Sequence, residues 1–324
     1  MTTTKPVRAN VLECIGDTPL IALSGVVPEG CARILVKLES QNPTGSMKDR
    51  MALAMINAAE HSGRLKPQQR VVEYTGGSTG VSLAMICATK KYPLSIVTSD
   101  AFSQEKRDHM AAFGAELTVV PSNEGRMDEA LTRTMIEQAR IITEKFDGYW
   151  TDQLSNADQL PAYNKMADEI WKQTNGKLDA FVSMTGTAAC FRGNTETLHG
   201  YNPSIHCVAV EPAESPVFSQ GISGAHKIEG AGAGFVVPLW KPEVADQIVT
   251  VSTEQAMGMC RQLAATEGLF AGTSTGANVL AAIDVGLTLG PSATVVTIMC
   301  DSGIKYLSTA LYAGQPSTNR EQKP

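Results

Sequence analysis

Short runs of β-branched and apolar residues alternate along the chain with longer segments in which apolar residues recur at helical spacing. The short runs are mostly apolar without alternation, which is typical of strands buried on both faces. The predicted strands are Ile34–Leu38, Val71–Glu73, Leu94–Val97, Leu117–Val120, Phe181–Ser183, His206–Val210 and Thr294–Ile298. The predicted helices are Asp49–His61, Thr79–Lys90, Gln104–Phe113, Met127–Glu144, Gln159–Gln173, Thr253–Glu267 and Ala277–Leu287. A strand-then-helix order repeated this often predicts an α/β fold with mostly parallel sheets flanked by helices.

Two segments interrupt this pattern. The glycine-rich stretch 221–234 predicts a long irregular loop, and long loops inside compact domains often have a function. The polar stretch 317–324 predicts a frayed tail. No repeat of fixed period and no low-complexity linker divides the chain.

Composition and charge narrow the class of protein. The 324 residues are 43% hydrophobic and 19% charged, which is an ordinary globular balance. A net charge of −6 does not favour nucleic acid or an anionic membrane surface as a partner. The chain has no apolar run of membrane-spanning length and no secretory signal. The seven cysteines are scattered and the five histidines do not cluster, so we predict a soluble cytoplasmic protein without disulfides or a metal site.

Residues 42–50 read N-P-T-G-S-M-K-D-R and form a loop that leads into a predicted helix. Ser46 can cap this helix, and Asp49 favours its first turn. Lys48 therefore lies at a helix N-terminus, where the positive end of the helix favours an uncharged amine. An uncharged amine reacts covalently with an aldehyde, although a lone lysine is more often a solvated surface residue.

Three further small-residue segments follow predicted strands, at the sheet edge where ligands bind in open α/β folds. Residues 75–80 read T-G-G-S-T-G, residues 185–190 read T-G-T-A-A-C, and residues 300–303 read C-D-S-G. The first two loops can present backbone N–H groups to a carboxylate or phosphate, although either can also be a plain tight turn. Neither matches a P-loop or a dinucleotide fingerprint.

All four segments, in this order, resemble the cysteine synthase and cystathionine β-synthase family, and the resemblance extends from about residue 10 to residue 312. It implies a tryptophan-synthase β-like fold (fold type II) and pyridoxal 5′-phosphate as cofactor. Supporting segments are Ile15–Leu20, Gln153–Asn156, Glu211–Pro216, Ile228–Phe235 and Ser302–Thr309.

The resemblance implies a role for each motif. Lys48 is expected to hold the cofactor covalently and to act as general base and acid. The substrate-binding residues are expected to be Thr75, Gly76, Gly77, Ser78, Thr79 and Gln153. The cofactor-binding residues are expected to be Lys48, Ser78, Gly186, Thr187, Ala188, Ala189, Cys190, Gly272 and Ser302. Ser302 is the expected partner of the pyridine nitrogen. Because adjacent strand residues point to opposite faces, only one of Asp301 and Ser302 can reach the ring.

The chain departs from the family pattern in both loops. The family's usual T-S-G-N-T-G reads T-G-G-S-T-G here, so Gly76 replaces a serine and Ser78 an asparagine. The usual G-T-G-G-T of the phosphate loop reads G-T-A-A-C, ending in Cys190. A shorter hydroxyl and a weakly donating thiol change the available hydrogen bonds. These departures indicate a divergent subfamily with a different β-substituent, nucleophile or net reaction.

The activity implied is β-replacement or β-elimination on a serine- or cysteine-type amino acid through an α-aminoacrylate. Three alternatives remain open: a cysteine desulfhydrase or lyase, a diamino-acid synthase of specialised metabolism, and a non-catalytic scaffold of the same fold. The resemblance further implies a homodimer with two domains and the cofactor in the cleft between them. A smaller mobile domain is expected at 45–152, and a larger cofactor-binding domain at 10–44 plus 153–316.

Overall fold

A computed structural model describes residues 7–313, so the predicted tail at 317–324 lies outside the described residues. The chain forms a six-stranded and a four-stranded sheet. In chain order the strands are β1 (Leu20–Ala22), β2 (Arg33–Leu38), β3 (Val71–Tyr74), β4 (Leu94–Ser99), β5 (Glu116–Val120), β6 (Tyr149–Trp150), β7 (Ala180–Met184), β8 (His206–Pro212), β9 (Gln247–Val251) and β10 (Thr294–Met299). The larger sheet has the order β1-β2-β10-β7-β8-β9, and the smaller sheet has the order β5-β4-β3-β6.

Helices connect and cover these strands. They are α1 (Lys48–His61), α2 (Ser78–Lys90), α3 (Gln104–Ala112), α4 (Glu129–Phe146), α5 (Leu160–Gln173), α6 (Ala189–Tyr201), α7 (Val217–Gln220), α8 (Thr253–Gln262) and α9 (Thr273–Leu289). Within residues 7–313, short 3-10 helices lie at Val11–Cys14, Glu39–Gln41, Ala157–Gln159, Pro242–Val244 and Gly303–Tyr306. Across residues 7–313 no helix combines the length and apolar character needed to cross a bilayer.

The parallel pairing follows from the burial of both sheet faces. Within β2, Ile34 and Val36 pack in the cluster that includes Val279 of α9, whereas Leu35 packs in the cluster that includes Met51 of α1. Successive side chains of a strand point to opposite faces, so both faces of the larger sheet are covered by helices. Only the β1–β2 pair is antiparallel among the described strands. The predicted α/β fold class is confirmed.

The structure differs from the predicted elements in several places. It adds the edge strands β1 and β9, the two-residue strand β6, and the buried helix α6, which the sequence analysis leaves unassigned. Helix α6 contains Gly193, Gly200 and several polar residues, so its intrinsic helix propensity is low and packing determines it. Helix α4 begins later than predicted because Asp128 caps it by accepting a hydrogen bond from the Leu131 N–H.

The smaller sheet lies wholly between residues 71 and 150, inside the predicted domain 45–152. The carboxyl ends of β3, β7 and β10 are followed by the three small-residue segments that the sequence analysis selects. These segments and the start of α1 surround one cavity. The fold therefore brings segments far apart in sequence to one place.

Candidate active site

Lys48 begins α1 beside the end of β10. Ser46 forms an isolated antiparallel bridge with Asp301, and the Met47 N–H donates to the Cys300 carbonyl at 2.9 Å. The Ser46 hydroxyl accepts a hydrogen bond from the Lys48 N–H at 3.2 Å, but the predicted capping by Ser46 is wrong, because Met47 is the N-cap of α1 and the helix has no side-chain capping bond. Among residues 7–313, no recorded hydrogen bond or ion pair involves the Lys48 amine, which lines the cavity.

The two residues after Lys48 anchor the helix in the core. The buried Asp49 carboxylate accepts hydrogen bonds from the Thr44 backbone and from the Ser82 hydroxyl, the latter at 2.6 Å. The Arg50 guanidinium binds Glu39 and Glu169, each at 2.7 Å. Because buried charges are stable only when they are paired, this network fixes the first turn of α1. Lys48 thus has a rigid backbone and an available amine.

The predicted substrate loop, residues 75–79, connects β3 to α2. The Thr79 hydroxyl donates to Gln153 Oε1 at 2.8 Å, and Gln153 Nε2 donates to the Tyr74 carbonyl at 2.7 Å. Buried Glu73 accepts a hydrogen bond from the Gln153 N–H at 3.0 Å, and burial raises the pKa of Glu73 to about 8. The structure therefore places Gln153 beside the loop, as the resemblance implies. Hydrogen bonds to Glu73 and to the Tyr74 carbonyl hold it there.

Both departures in this loop have a structural counterpart. A Cβ atom on Gly76 would lie 2.8 Å from Phe102 Cε1, so the Phe102 ring occupies the space that a serine side chain needs. Ser78 is the first residue of α2, and its hydroxyl donates to Asp301 Oδ2 at 3.0 Å. Gly76 therefore leaves room for the Phe102 ring, and Ser78 binds Asp301, although neither partner belongs to this loop.

The predicted phosphate loop connects β7 to α6. Gly186 and Thr187 line the cavity, and Ala188, Ala189 and Cys190 turn into the first residues of α6. A Cβ atom on Gly186 would lie 2.4 Å from the Gly230 carbonyl oxygen, so only glycine fits there. The Cys190 sulfur lies 3.6 Å from Asn194 Nδ2, and burial raises the pKa of its thiol to about 12. Cys190 is thus a buried, protonated thiol.

Ala188 has a left-handed backbone conformation, with φ of 65°. This conformation costs a non-glycine residue roughly 1–2 kcal/mol. The neighbouring Ala189 is equally buried and helical. Both Ala188→Gly and Ala189→Gly remove a buried methyl group, but only the first relieves strain. We expect Ala188→Gly to leave the protein more stable than Ala189→Gly by about 1–2 kcal/mol in urea unfolding. Equal unfolding free energies of the two variants would contradict the strain.

The segment after β10 places Asp301 and Ser302 on different sides of the cavity wall. Asp301 lines the cavity, whereas the Ser302 hydroxyl accepts a hydrogen bond from the Ile304 N–H at 3.3 Å and caps a 3-10 helix. Ser302 is not among the residues lining the cavity. Of the two neighbours, whose side chains point to different sides, Asp301 is therefore the one that faces the cavity. Gly272 also lies behind the cavity wall, where a Cβ atom would meet Asp301 Oδ1 at 2.2 Å.

Sequence reasoning missed Ser274. It is 5% exposed, lies in the first turn of α9 and lines the cavity beside Cys300. Residues 272–276 read G-T-S-T-G before an apolar helix. They carry the same signal, small residues at a helix start, that selected the loops after β3 and β7. Phe102 and Lys106 line the cavity but lie in no motif that the sequence analysis selects. Glu229, Asp301 and Tyr306 lie in selected segments, without an assigned role.

The predicted residues that line the cavity are Lys48, Thr75, Gly76, Gly77, Ser78, Thr79, Gln153, Gly186 and Thr187. The N-termini of α2 and α6 also meet there, and backbone N–H groups at helix starts bind anions. Gly186 packs tightly against the Gly230 carbonyl oxygen, and Gly186, Thr187 and Gly230 all line the cavity. An amine between two anion sites fits a phosphorylated aldehyde together with an amino-acid carboxylate.

Comparisons with known proteins agree with this geometry. A family model described as pyridoxal-phosphate dependent enzyme matches residues 11–301. A cysteine synthase of Staphylococcus aureus is 40% identical over 312 residues, covering 95% of this chain and 98% of the relative. The crystal structure of an O-ureido-L-serine synthase has a TM-score of 0.91 and 32% identity, covering 97% of this chain and 98% of that chain. A hydrogen sulfide-producing enzyme from Fusobacterium nucleatum has a TM-score of 0.88 and 35% identity, covering 93% of this chain and all of that chain (100%).

Proposed function

The chain belongs to the family of pyridoxal-phosphate-dependent enzymes that includes the cysteine synthases, and from this premise we propose that it catalyses β-replacement on a serine-type amino acid. The observation that carries the proposal is the unpaired Lys48 amine in a cavity between the N-termini of α2 and α6. Family membership also makes the chain an enzyme, so the non-catalytic scaffold is set aside.

Pyridoxal phosphate, when bound, draws electrons from the α-carbon of an amino acid, so that the α-proton and the β-substituent can leave. Lys48 would hold the cofactor's aldehyde covalently at rest and afterwards carry the α-proton on its amine. The start of α6, with Gly186 and Thr187, would bind the phosphate. The loop 75–79 and Gln153 would bind the α-carboxylate and orient the Cα–H bond toward Lys48.

Ser274 is the residue we assign to the pyridine nitrogen, in place of Ser302. Ser274 lines the cavity, as do Cys300 and the residues at the start of α1. A neutral hydroxyl accepts or donates one hydrogen bond without stabilising a charged pyridinium. This moderates the electron withdrawal and suits β-elimination and β-replacement.

The assignment predicts a difference between two alanine variants. Ser274→Ala should lower kcat/KM about tenfold and weaken pyridoxal-phosphate binding, because one hydrogen bond to the ring is lost. Ser302→Ala should change both quantities by less than about twofold, because its hydroxyl serves a surface turn. Both are measured by cofactor titration and steady-state kinetics. A larger loss in Ser302→Ala would return the role to Ser302.

A second candidate is β-elimination from L-cysteine, favoured by the similarity to the hydrogen sulfide-producing enzyme. The similarity to the O-ureido-L-serine synthase favours replacement with a nucleophile other than sulfide. The shape and polarity of the outer cavity decide between them, and this wall includes Met127, Leu131, Thr132 and Met135 of the loop before α4 and of α4 itself.

The experiment supplies O-acetyl-L-serine, L-serine and L-cysteine in turn, each with sulfide, hydroxyurea or no added nucleophile. Products are identified by mass spectrometry, and sulfide and pyruvate are measured directly. A new amino acid formed only when a nucleophile is present supports replacement. Sulfide and pyruvate from L-cysteine alone support elimination. Absence of both activities in protein that carries the cofactor would overturn the proposal.

The proposal has three further parts. The chain has a smaller domain at 45–152 and a larger domain at 10–44 plus 153–316, it forms a homodimer, and it is located in the cytoplasm. Support for the division comes from the two separate sheets, and support for the rest from the family resemblance. Light scattering of the purified protein would measure the oligomeric state, with twice the chain mass of 34.5 kDa expected.

A further inference from the structure

One wall of the cavity is a continuous row of five interacting side chains. The Ser78 and Tyr306 hydroxyls both donate to Asp301 Oδ2, at 3.0 and 2.8 Å. The Lys106 amine lies 4.0 Å from the centre of the Tyr306 ring and donates to Glu229 Oε2 at 2.6 Å. All five residues line the cavity. The side chain of Lys106 is 2% exposed and that of Glu229 10%, so the ion pair is almost excluded from water.

The ion pair joins parts of the chain that belong to different sheets. Lys106 lies on α3, which follows β4 of the four-stranded sheet. Glu229 lies in the glycine-rich loop after β8 of the six-stranded sheet, and its N–H donates to the Thr273 hydroxyl at the start of α9 at 3.1 Å. The pair therefore ties α3 to the segment that carries Ser274.

Lys106 also lies directly against the predicted carboxylate loop. Gly77 has φ of 126°, and a Cβ atom there would lie 2.3 Å from Lys106 Cδ. The methylene stem of Lys106 thus forms the support on which the loop 75–79 rests. Any shift of this stem moves the backbone N–H groups of the loop, and misplacement of such groups by about 1 Å weakens ligand orientation strongly.

We propose that Lys106 and Glu229 are positioning residues that hold the loop 75–79 in the place where it receives the substrate's α-carboxylate. The pair acts through the loop and through Tyr306, and it neither moves a proton nor forms a bond. A buried ion pair is a weak source of net stability but defines a single geometry, because each partner is costly without the other. This inference rests on the proposed function, which supplies the amino-acid substrate.

The test separates positioning from stability with Lys106→Met, Glu229→Gln and the double variant. Each single variant leaves a buried charge unpaired and should lower Tm, whereas the double variant removes both charges and should recover it. The probe is L-alanine, which has the α-amino and α-carboxylate groups but no leaving group. Its binding is followed through the absorbance of the bound cofactor, and kcat and KM for O-acetyl-L-serine are measured in parallel.

We expect the double variant to keep the cofactor absorbance and a near-parental Tm but to need about tenfold more L-alanine for half-saturation, with KM rising more than kcat falls. A double variant with parental Tm and parental half-saturation would overturn the inference, because the pair would then be structural only. If the double variant does not fold, the single variants are titrated at low temperature, and parental half-saturation in both would overturn it equally.

Glu105→Gln is the matched control. Glu105 precedes Lys106 on α3 and also joins this helix to the C-terminal segment, through the Ser308 N–H at 2.6 Å and its hydroxyl at 2.7 Å. It does not line the cavity. Half-saturation within about twofold of the parent is expected, because this exposed contact does not touch the loop. A parent protein that carries cofactor but responds to neither amino acid would instead count against the proposed function.

Discussion

Lys48→Ala is expected to abolish covalent attachment of pyridoxal phosphate and to lower kcat/KM by ~10³-fold or more. The reason is that the second lysine lining the cavity, Lys106, is already engaged, because its amine pairs with Glu229 and lies over the Tyr306 ring. We therefore expect that Lys106 cannot replace Lys48, the first residue of α1. The absorbance of the purified variant, with and without added cofactor, measures the loss.

Borohydride reduction followed by peptide mass spectrometry locates the attachment in the parent protein. We expect the added mass on the peptide that contains Lys48. Lys66→Ala, at an exposed site outside the cavity, is the control and should keep parental absorbance and turnover. An adduct on Lys106 or on the buried Lys305 would show that the assignment of Lys48 is wrong.

The strands and helices could be predicted from the sequence wherever burial imposes an apolar run or an apolar helical periodicity. The β-branched runs at β2, β4, β8 and β10 are buried on both faces of their sheets, so their apolar composition identifies them as strands. Helix α6 left no such signal, because residues such as Gly193 and Thr195 are held in a helix by burial against neighbouring elements rather than by propensity. The edge strand β1 was missed because three residues are too few to show alternation.

Sequence reasoning predicts those site residues that lie in short continuous motifs. Lys48, the loop 75–79 and the loop after β7 all meet at one cavity, because the strands that precede them end at the same region. The ion pair between Lys106 and Glu229 was not predictable, since the two residues are 123 positions apart, Lys106 lies in no motif, and the segment around Glu229 suggested no role for its side chain. The proposal of Ser274 in place of Ser302 depends on which side chains face the cavity, and only the folded structure defines that.

Gly186→Ala is expected to have the second largest effect, a loss of about 100-fold in pyridoxal-phosphate affinity together with about 1–3 kcal/mol of stability. A Cβ atom at this position would lie 2.4 Å from the Gly230 carbonyl oxygen, and that oxygen belongs to backbone that cannot rotate away. The loop after β7 and the glycine-rich loop must therefore separate. This displaces the start of α6, where the phosphate would bind, and also the segment that carries Glu229.

The matched control is Gly200→Ala on the same helix. Gly200 is exposed, and a Cβ atom there meets no atom within 4 Å. Because alanine is the better helix former, this variant should be as stable as the parent or up to about 1 kcal/mol more stable, with unchanged cofactor affinity. Cofactor titration and urea unfolding measure both variants. Parental affinity in Gly186→Ala would mean that the two loops can separate without disturbing the cofactor, and the phosphate site would then have to lie away from the start of α6.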